Sequence, residues 1–169
     1  TSQLQAELES DTAEAVGDLR RQLARQSQSL QGLQSNTPAE AFWSNEAQAL
    51  LREHREWLRI ESRDPEMKLK NQVDTPLRKP IFERTPRIDS LNETVQACSK
   101  ARRINGPSYS SSYFLPQSDG VGFEVMEMCL PQTEDGVLIG FTIVTYGLQE
   151  LLNELLGNSF GRRNEISFT

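Results

Sequence analysis

The sequence has little of what common catalytic and metal sites need. Its 169 residues include a single histidine, His54, and two cysteines, Cys98 and Cys129. His54 is therefore the one imidazole that could serve a Ser-His-Asp or Cys-His set, and it lies in a charged segment near the end of a predicted helix. The cysteines form neither a C-x-x-C motif nor a metal-ligand spacing. No Gly-rich phosphate-binding loop is present. We therefore expect no enzyme activity and no metal, and the cysteines are either buried thiols or one disulfide.

Long apolar runs and a basic surplus are also missing. No run approaches the ~18 apolar residues of a membrane helix, and no signal peptide opens the chain. The net charge of -6, from 24 acidic and 18 basic residues, argues against nucleic-acid binding. Residues 52–103 nevertheless carry 13 Lys and Arg against 9 Asp and Glu. This basic middle favours a small anionic ligand, or it is simply a solvated surface.

The beginning of the chain predicts a long helix. Residues 1–36 lack proline, and from Val16 to Leu33 the positions of a stripe recur at alternating spacings of three and four, apolar except for Gln26. Such a stripe can pack on the domain's own sheet, on the same helix of a second subunit, or on both. We expect a signalling helix over 1–36, a sensor domain over 37–157 and the start of a following segment over 158–169. The chain is thus interpreted as a fragment of a longer protein.

Residues 37–157 alternate between helical and strand patterns. Leu58 and Ile60 alternate with Arg59 and Glu61, which is typical of a strand, whereas 137–144 is apolar at nearly every position, as in a strand covered on both faces. The pattern predicts an α+β fold on a five-stranded antiparallel sheet. The predicted elements are a helix over 38–54, strands over 57–63 and 67–73, a helix over 90–102 that Ser90 and Glu93 cap, strands over 108–115, 121–131 and 137–146 with a hairpin turn at 134–136, and a helix over 148–156.

Several segments resemble the Cache family, extracytoplasmic sensor domains with a PAS-like sheet found in bacterial histidine kinases and related receptors. The resemblance rests on Glu56–Asp64, Ser108–Tyr113, Glu127–Pro131, Gly136–Gly140 and Tyr146–Leu152. It implies a long N-terminal helix on one face of a five-stranded antiparallel sheet. On the other face it implies a ligand cavity, closed by the segment and helix between the second and third strands.

The resemblance also implies a place and an assembly. The domain is expected on the periplasmic side of the bacterial inner membrane, with no cofactor, in a membrane-anchored protein that dimerises through the N-terminal helix. A small molecule, with an anion as one possibility, is the expected ligand. The candidate ligand-binding residues are Arg59, Glu61, Arg103, Tyr109, Ser111, Tyr113, Met126, Thr142 and Tyr146.

Each group of candidates has an alternative interpretation. Tyr109, Ser111 and Tyr113 lie on one face of a predicted strand. These polar side chains either form the wall of a pocket or face solvent on an exposed edge strand. Arg103 either binds the carboxylate of a ligand or is a surface arginine that interacts favourably with the dipole at the C-terminal end of a helix. Met126 suits a pocket or the core.

The predicted function is ligand sensing in a transmembrane sensor histidine kinase. A chemoreceptor or a diguanylate cyclase is an alternative receptor. A ligand-free dimerisation module is a second alternative, and a cytoplasmic PAS-type module with haem or flavin is a third. Against haem, His54 lies outside the strands and loops that would enclose the cofactor.

Overall fold

The computed structural model describes residues 40–118 and 120–154, together with Arg21 and Arg25, which are helical. The rest of the predicted N-terminal helix over 1–36 and the segment 158–169 lie outside the described residues, so the domain bounds stay a prediction. The helices are α1 (Glu40–Glu53), α2 (Arg87–Ile104) and α3 (148–154). The strands are β1 (Trp57–Arg63), β2 (Leu69–Asp74), β3 (Ser108–Tyr109), β4 (Tyr113–Gln117), β5 (Gly120–Glu134) and β6 (Val137–Gly147).

All strand pairs are antiparallel, in the order β2-β1-β6-β5-β3, and β4 also pairs with β5. The predicted α+β fold on an antiparallel sheet is confirmed. The central strand β6 is buried from Gly140 to Gly147 because helices and loops cover both of its faces. The predicted hairpin is also confirmed, since Asp135 (φ 51) and Gly136 (φ 79) both have the positive φ that a two-residue turn of this kind requires.

The predicted strand over 108–115 is wrong in its extent. It is divided into β3 and β4, so six strand segments fill five positions in the sheet. The chain leaves the sheet at residues 110–112, where Ser110 makes two hydrogen bonds to the backbone of Glu127 in β5. Its N–H donates to the carbonyl oxygen of Glu127 at 2.8 Å, and its hydroxyl accepts from the N–H of Glu127 at 2.9 Å. A serine side chain thus replaces part of the backbone ladder.

The predicted start of α2 is also wrong. The helix begins at Arg87, three residues before Ser90, and Pro86 precedes it without a side-chain cap. The Ser90 hydroxyl instead donates to the carbonyl oxygen of Arg87 at 3.0 Å. The buried face of α2 consists of small residues, whereas Val95 on the same helix is 36% exposed. Small side chains let the helix lie close to the sheet.

The two faces of the sheet have separate cores. On the first, called the α1 face, Trp43, Ala47 and Leu51 of α1 pack against Ile60 and Val144. On the second, called the α2 face, the small residues of α2 pack beside Phe141 and Ile143 of β6. Within the described residues, no helix is both long and apolar enough to cross a membrane.

A disulfide between Cys98 and Cys129 connects α2 to β5 on the α2 face. Both cysteines are almost fully buried, at 1% and 0% exposure. The sequence left a disulfide and two buried thiols as alternatives, and the structure contains the disulfide. The middle of α2 is therefore held covalently against the sheet.

Candidate ligand-binding site

Buried charged side chains collect on the α2 face of the sheet. Arg59, Glu61 and Arg63 alternate along β1 and are buried. Glu127 of β5 shares their face, because Arg59 and Glu127 both pair with Thr145 of the intervening strand β6. Phe82 of the irregular segment 75–86, together with Arg87 and Thr94 of the first turns of α2, covers them. We call the following set the charged cluster: Arg59, Glu61, Arg63, Asp74, Arg87 and Glu127.

Arg87, the first residue of α2, bridges the two buried carboxylates. Its Nη1 and Nη2 donate to the two oxygens of Glu127 at 2.8 and 2.6 Å, and its Nε donates to Glu61 at 2.9 Å. The side chain of Arg87 is 12% exposed, whereas those of Glu61 and Glu127 are 0% exposed. Arg87 is therefore the member of this trio that reaches solvent.

The Glu61 carboxylate accepts hydrogen bonds from three arginines. Besides Arg87, it accepts hydrogen bonds from Arg59 at 2.7 Å and from Arg63 at 2.8 Å. Burial by itself would raise the pKa of Glu61, but the charge of Arg87 and the hydrogen bonds from Arg63 and Arg87 outweigh burial and lower this pKa to about 2. Glu61 is thus ionised throughout the physiological range.

Glu127 has neutral partners as well as Arg87. It accepts from the Thr94 hydroxyl at 2.9 Å and from the Tyr113 hydroxyl at 2.5 Å. Burial, followed by the charge of Glu127, raises the pKa of Tyr113 above its ordinary value. Burial disfavours the charged form of Arg87, but the hydrogen bonds and charge of Glu127 raise the pKa of Arg87. Tyr113 therefore stays a neutral donor and Arg87 a cation.

Phe82 connects the covering segment 75–86 to the charged cluster. The guanidinium carbon of Arg87 lies 4.9 Å from the centre of the Phe82 ring, and that of Arg59 lies 5.2 Å from it. An aromatic face attracts a cation at these distances. Arg59 also contacts Gln72 and lies 3.3 Å from Asp74 of β2. The site thus offers both signs of charge and an aromatic wall.

One polar group in this region has no partner. The Thr145 hydroxyl is fully buried and makes no hydrogen bond with any described residue. Thr145 stands directly opposite Arg59 on one side and Glu127 on the other. Buried polar groups are normally paired, so an unpaired one in a native structure requires an explanation. A bound molecule that contacts Thr145 would supply one.

The nine predicted site residues do not form a single site, and the structure separates them into three groups. Arg59, Glu61 and Tyr113 lie in or beside the charged cluster. Four others lie on the α1 face, as their pairing with β5 or β6 residues of that face shows: Tyr109, Met126, Thr142 and Tyr146. Arg103 and Ser111 line an open groove of about 640 Å³ between the outer side of α2 and residues 108–111, which Tyr109 also borders.

Sequence reasoning missed the residues that complete the charged cluster. Glu127, Arg87 and Thr94 are not among the predicted site residues. Three charged residues alternating within β1, a strand of a sheet expected to be covered on both faces, were the available signal, because buried charges need partners. Within the described residues, no group of acidic, histidine and cysteine side chains could hold a metal ion.

The low pKa of Glu61 predicts acid sensitivity. Its folded-state pKa of about 2 lies below the ordinary value of 4.5, so Glu61 stabilises the fold above pH 4.5 and loses this contribution as the pH falls toward 2. The loss should be about 3 kcal/mol at 1.36 kcal/mol per pKa unit. Urea denaturation between pH 2 and 6 measures it. Glu61→Gln should flatten this profile, whereas Glu66→Gln at an exposed position should leave it unchanged; equal profiles for all three proteins would contradict the assignment.

No protein-family model matches the chain, and no curated protein matches its sequence. Solved structures do match the fold. The ligand-binding domain of the Pseudomonas aeruginosa PAO1 amino acid chemoreceptor PctC, in complex with GABA, is 15% identical with a TM-score of 0.51, over 86% of this chain and 60% of that one. The ligand-binding domain of the Campylobacter jejuni chemoreceptor Tlp3, in complex with L-norvaline, is 13% identical with a TM-score of 0.58, over 84% of this chain and 56% of that one.

A third similar structure is the extracellular domain of vpHK1S-Z8, described as a histidine kinase. It is 11% identical with a TM-score of 0.59, over 85% of this chain and 58% of that one. The chain spans 56 to 60% of the length of these three structures. The resemblance to Cache-like sensor domains is confirmed for the fold. The expectation that this stretch of chain is not catalytic agrees with the description of the first two as ligand-binding domains.

Proposed function

We propose that this chain is an extracytoplasmic ligand-sensing domain, and that its small-molecule ligand binds at the charged cluster on the α2 face. The observation that carries the proposal is the pair of fully buried carboxylates, Glu61 and Glu127, beneath the partly exposed Arg87. The Thr145 hydroxyl between Arg59 and Glu127 adds to it, as one of three buried side-chain polar groups without a hydrogen bond among the described residues. Buried ion pairs stabilise proteins little compared with well-packed apolar residues, so a cluster of this size is poorly explained by stability alone. Perturbed ionisable groups are instead typical of functional sites.

The receptor context is part of the proposal. A disulfide fits an oxidising compartment and supports the periplasmic side of the inner membrane. The similar solved structures come from chemoreceptors and from a protein described as a histidine kinase. We place this domain in a membrane-anchored sensor histidine kinase that dimerises through residues 1–36, with a chemoreceptor as the alternative.

The disulfide restricts how a ligand could send a signal. Cys98 holds the middle of α2 against β5, so a ligand at the charged cluster would move residues 75–86 and the first turns of α2 rather than the whole helix. A ligand shifts such an equilibrium only by its differential affinity for the two positions. The part of the cover free to respond is thus the part that carries Phe82 and Arg87.

Thr145→Val is expected to separate binding from stability. Valine has nearly the same shape and removes an unpaired buried hydroxyl, so the free energy of unfolding should rise by about 1 kcal/mol. A ligand that uses the hydroxyl should bind about tenfold more weakly, for the loss of roughly one hydrogen bond. A thermal-shift panel of amino acids, carboxylates, polyamines and alkylguanidinium salts measures both effects. A compound at ~100 times its dissociation constant stabilises the native state by about 2.7 kcal/mol.

The open groove is the competing location, and its cations favour an anionic ligand. Lys100, Arg102 and Arg103 line it together with Ser111. Arg103→Ala, at an exposed helix end, should cost less than about 0.5 kcal/mol of stability. If this variant loses a ligand that Thr145→Val still binds, the site is the groove. If no compound shifts the transition and the protein dimerises only with residues 1–36 present, a ligand-free dimerisation module is favoured instead.

A further inference from the structure

The guanidinium group of Arg87 makes the contacts that a bound organic cation would make at this place. Its guanidinium group lies between the carboxylates of Glu61 and Glu127, with hydrogen bonds of 2.6 to 2.9 Å to both. We propose that Glu61 and Glu127 form a binding site for an organic monocation, an alkylguanidinium or alkylammonium, which Arg87 occupies in this structure. The proposal rests on the proposed function, since it names the ligand class of the same site.

The charge balance of the cluster selects a monocation. Three guanidinium groups, from Arg59, Arg63 and Arg87, stand against three carboxylates, from Glu61, Asp74 and Glu127. When Arg87 withdraws, one negative charge is left uncompensated in a buried place, which is costly. An incoming monocation restores neutrality. A zwitterion leaves the excess unchanged, and an anion increases it.

Arg87 lies where its side chain can move away from the two carboxylates. Its side chain is 12% exposed, while the two carboxylates beneath it are fully buried. It follows the irregular segment 75–86 and begins a helix that has no side-chain cap. The Cys98–Cys129 disulfide holds α2 about three turns further on. Arg87 can therefore leave with the start of α2 while the sheet keeps its pairing.

The surroundings contain more than two acids. The Phe82 ring presents a face 4.9 Å from the guanidinium carbon, an arrangement that attracts ammonium and guanidinium ions. The Thr145 hydroxyl, fully buried and unpaired among the described residues, stands directly opposite Glu127 and is independent of Arg87. The hydroxyl can accept or donate a hydrogen bond to a polar group on the ligand. Two carboxylates, an aromatic face and a spare hydroxyl make a site that fits a small cation with a polar substituent.

Chemical rescue tests the proposal in the 169-residue chain. Arg87→Ala should empty the place of the guanidinium group, and ethylguanidinium should then raise the unfolding temperature in a saturable way. Ethylurea, similar in shape but neutral, should not. Ethylguanidinium should bind wild type at least about tenfold more weakly, because the tethered Arg87 competes for the place. Arg84→Ala, an exposed residue of the covering segment, should match wild type.

The outcomes are distinct. Equal responses of Arg87→Ala to ethylguanidinium and ethylurea, or no response to either, overturn the proposal. If Arg87→Ala does not fold, Arg87→Lys is used for the same measurement. The lysine ammonium makes a weaker contact with the two carboxylates than the forked guanidinium group does, so it competes less well with ethylguanidinium. About tenfold tighter binding of ethylguanidinium to this variant than to wild type supports the proposal, and equal binding overturns it. If only anions or zwitterions bind wild type, and Thr145→Val weakens them, the proposed function stands and the cationic ligand class falls.

Discussion

Replacing Arg87 with methionine is expected to lower the free energy of unfolding by about 3–5 kcal/mol, the usual cost of removing one partner of a buried ion pair. Arg87 donates to both Glu61 and Glu127, whose side chains are fully buried. Without it, the Glu127 carboxylate keeps the hydroxyl donors of Thr94 and Tyr113 but no charged partner among the described residues. Methionine fills much of the lost volume but supplies no charge, so the electrostatic loss dominates.

Urea denaturation of wild type and Arg87→Met at neutral pH measures this loss. The matched control is Arg84→Met, which removes an exposed arginine three residues earlier and should change stability by no more than about 0.5 kcal/mol. Combining Arg87→Met with Glu127→Gln should cost less than the sum of the two changes, because residues in one network couple. A loss below about 1 kcal/mol for Arg87→Met would show that the charged cluster contributes little to folding.

Removing the disulfide is expected to cost about 3.7 kcal/mol. Cys98 and Cys129 are separated by 31 positions, and closing a loop of this length removes roughly that much chain entropy from the unfolded state. Cys98→Ala with Cys129→Ala tests the value by urea denaturation. Each single variant should lose nearly as much as the double variant, because either change breaks the bond. Unchanged stability in the double variant, or additive single losses, would contradict a structural role for the disulfide.

The parts of the fold that the sequence predicts correctly are those decided by local pattern. The turn at 134–136 follows from an Asp-Gly pair between two apolar strands, and β1 follows from strict alternation. The interruption at 110–112 has no such pattern. Three consecutive serines suit an exposed edge strand as well as a break, and the break depends on Ser110 bonding to Glu127, 17 residues away. Only the tertiary structure brings those two together.

The site is harder to predict, for the same reason. Arg59 and Glu61 are visible because they are charged within a strand. Arg87 is 26 residues from Glu61 and 40 from Glu127, and nothing around it in the sequence marks it as their partner. On β6, the predicted Thr142 and the unpredicted Thr145 lie on opposite faces of the sheet, because an odd shift along a strand moves a side chain to the other face. Thr142 faces α1 and accepts a hydrogen bond from Gln132 at 2.7 Å, while Thr145 faces the charged cluster.

Amide hydrogen exchange shows where on this domain a ligand binds. The experiment compares the free protein with the protein saturated by whichever compound gives the largest thermal shift. Binding at the charged cluster predicts changed exchange at residues 75–90 and slower exchange around Glu127 of β5, with little change at 99–104. Slower exchange confined to 99–111, beside the open groove, would contradict binding at the charged cluster and place the ligand with Arg103.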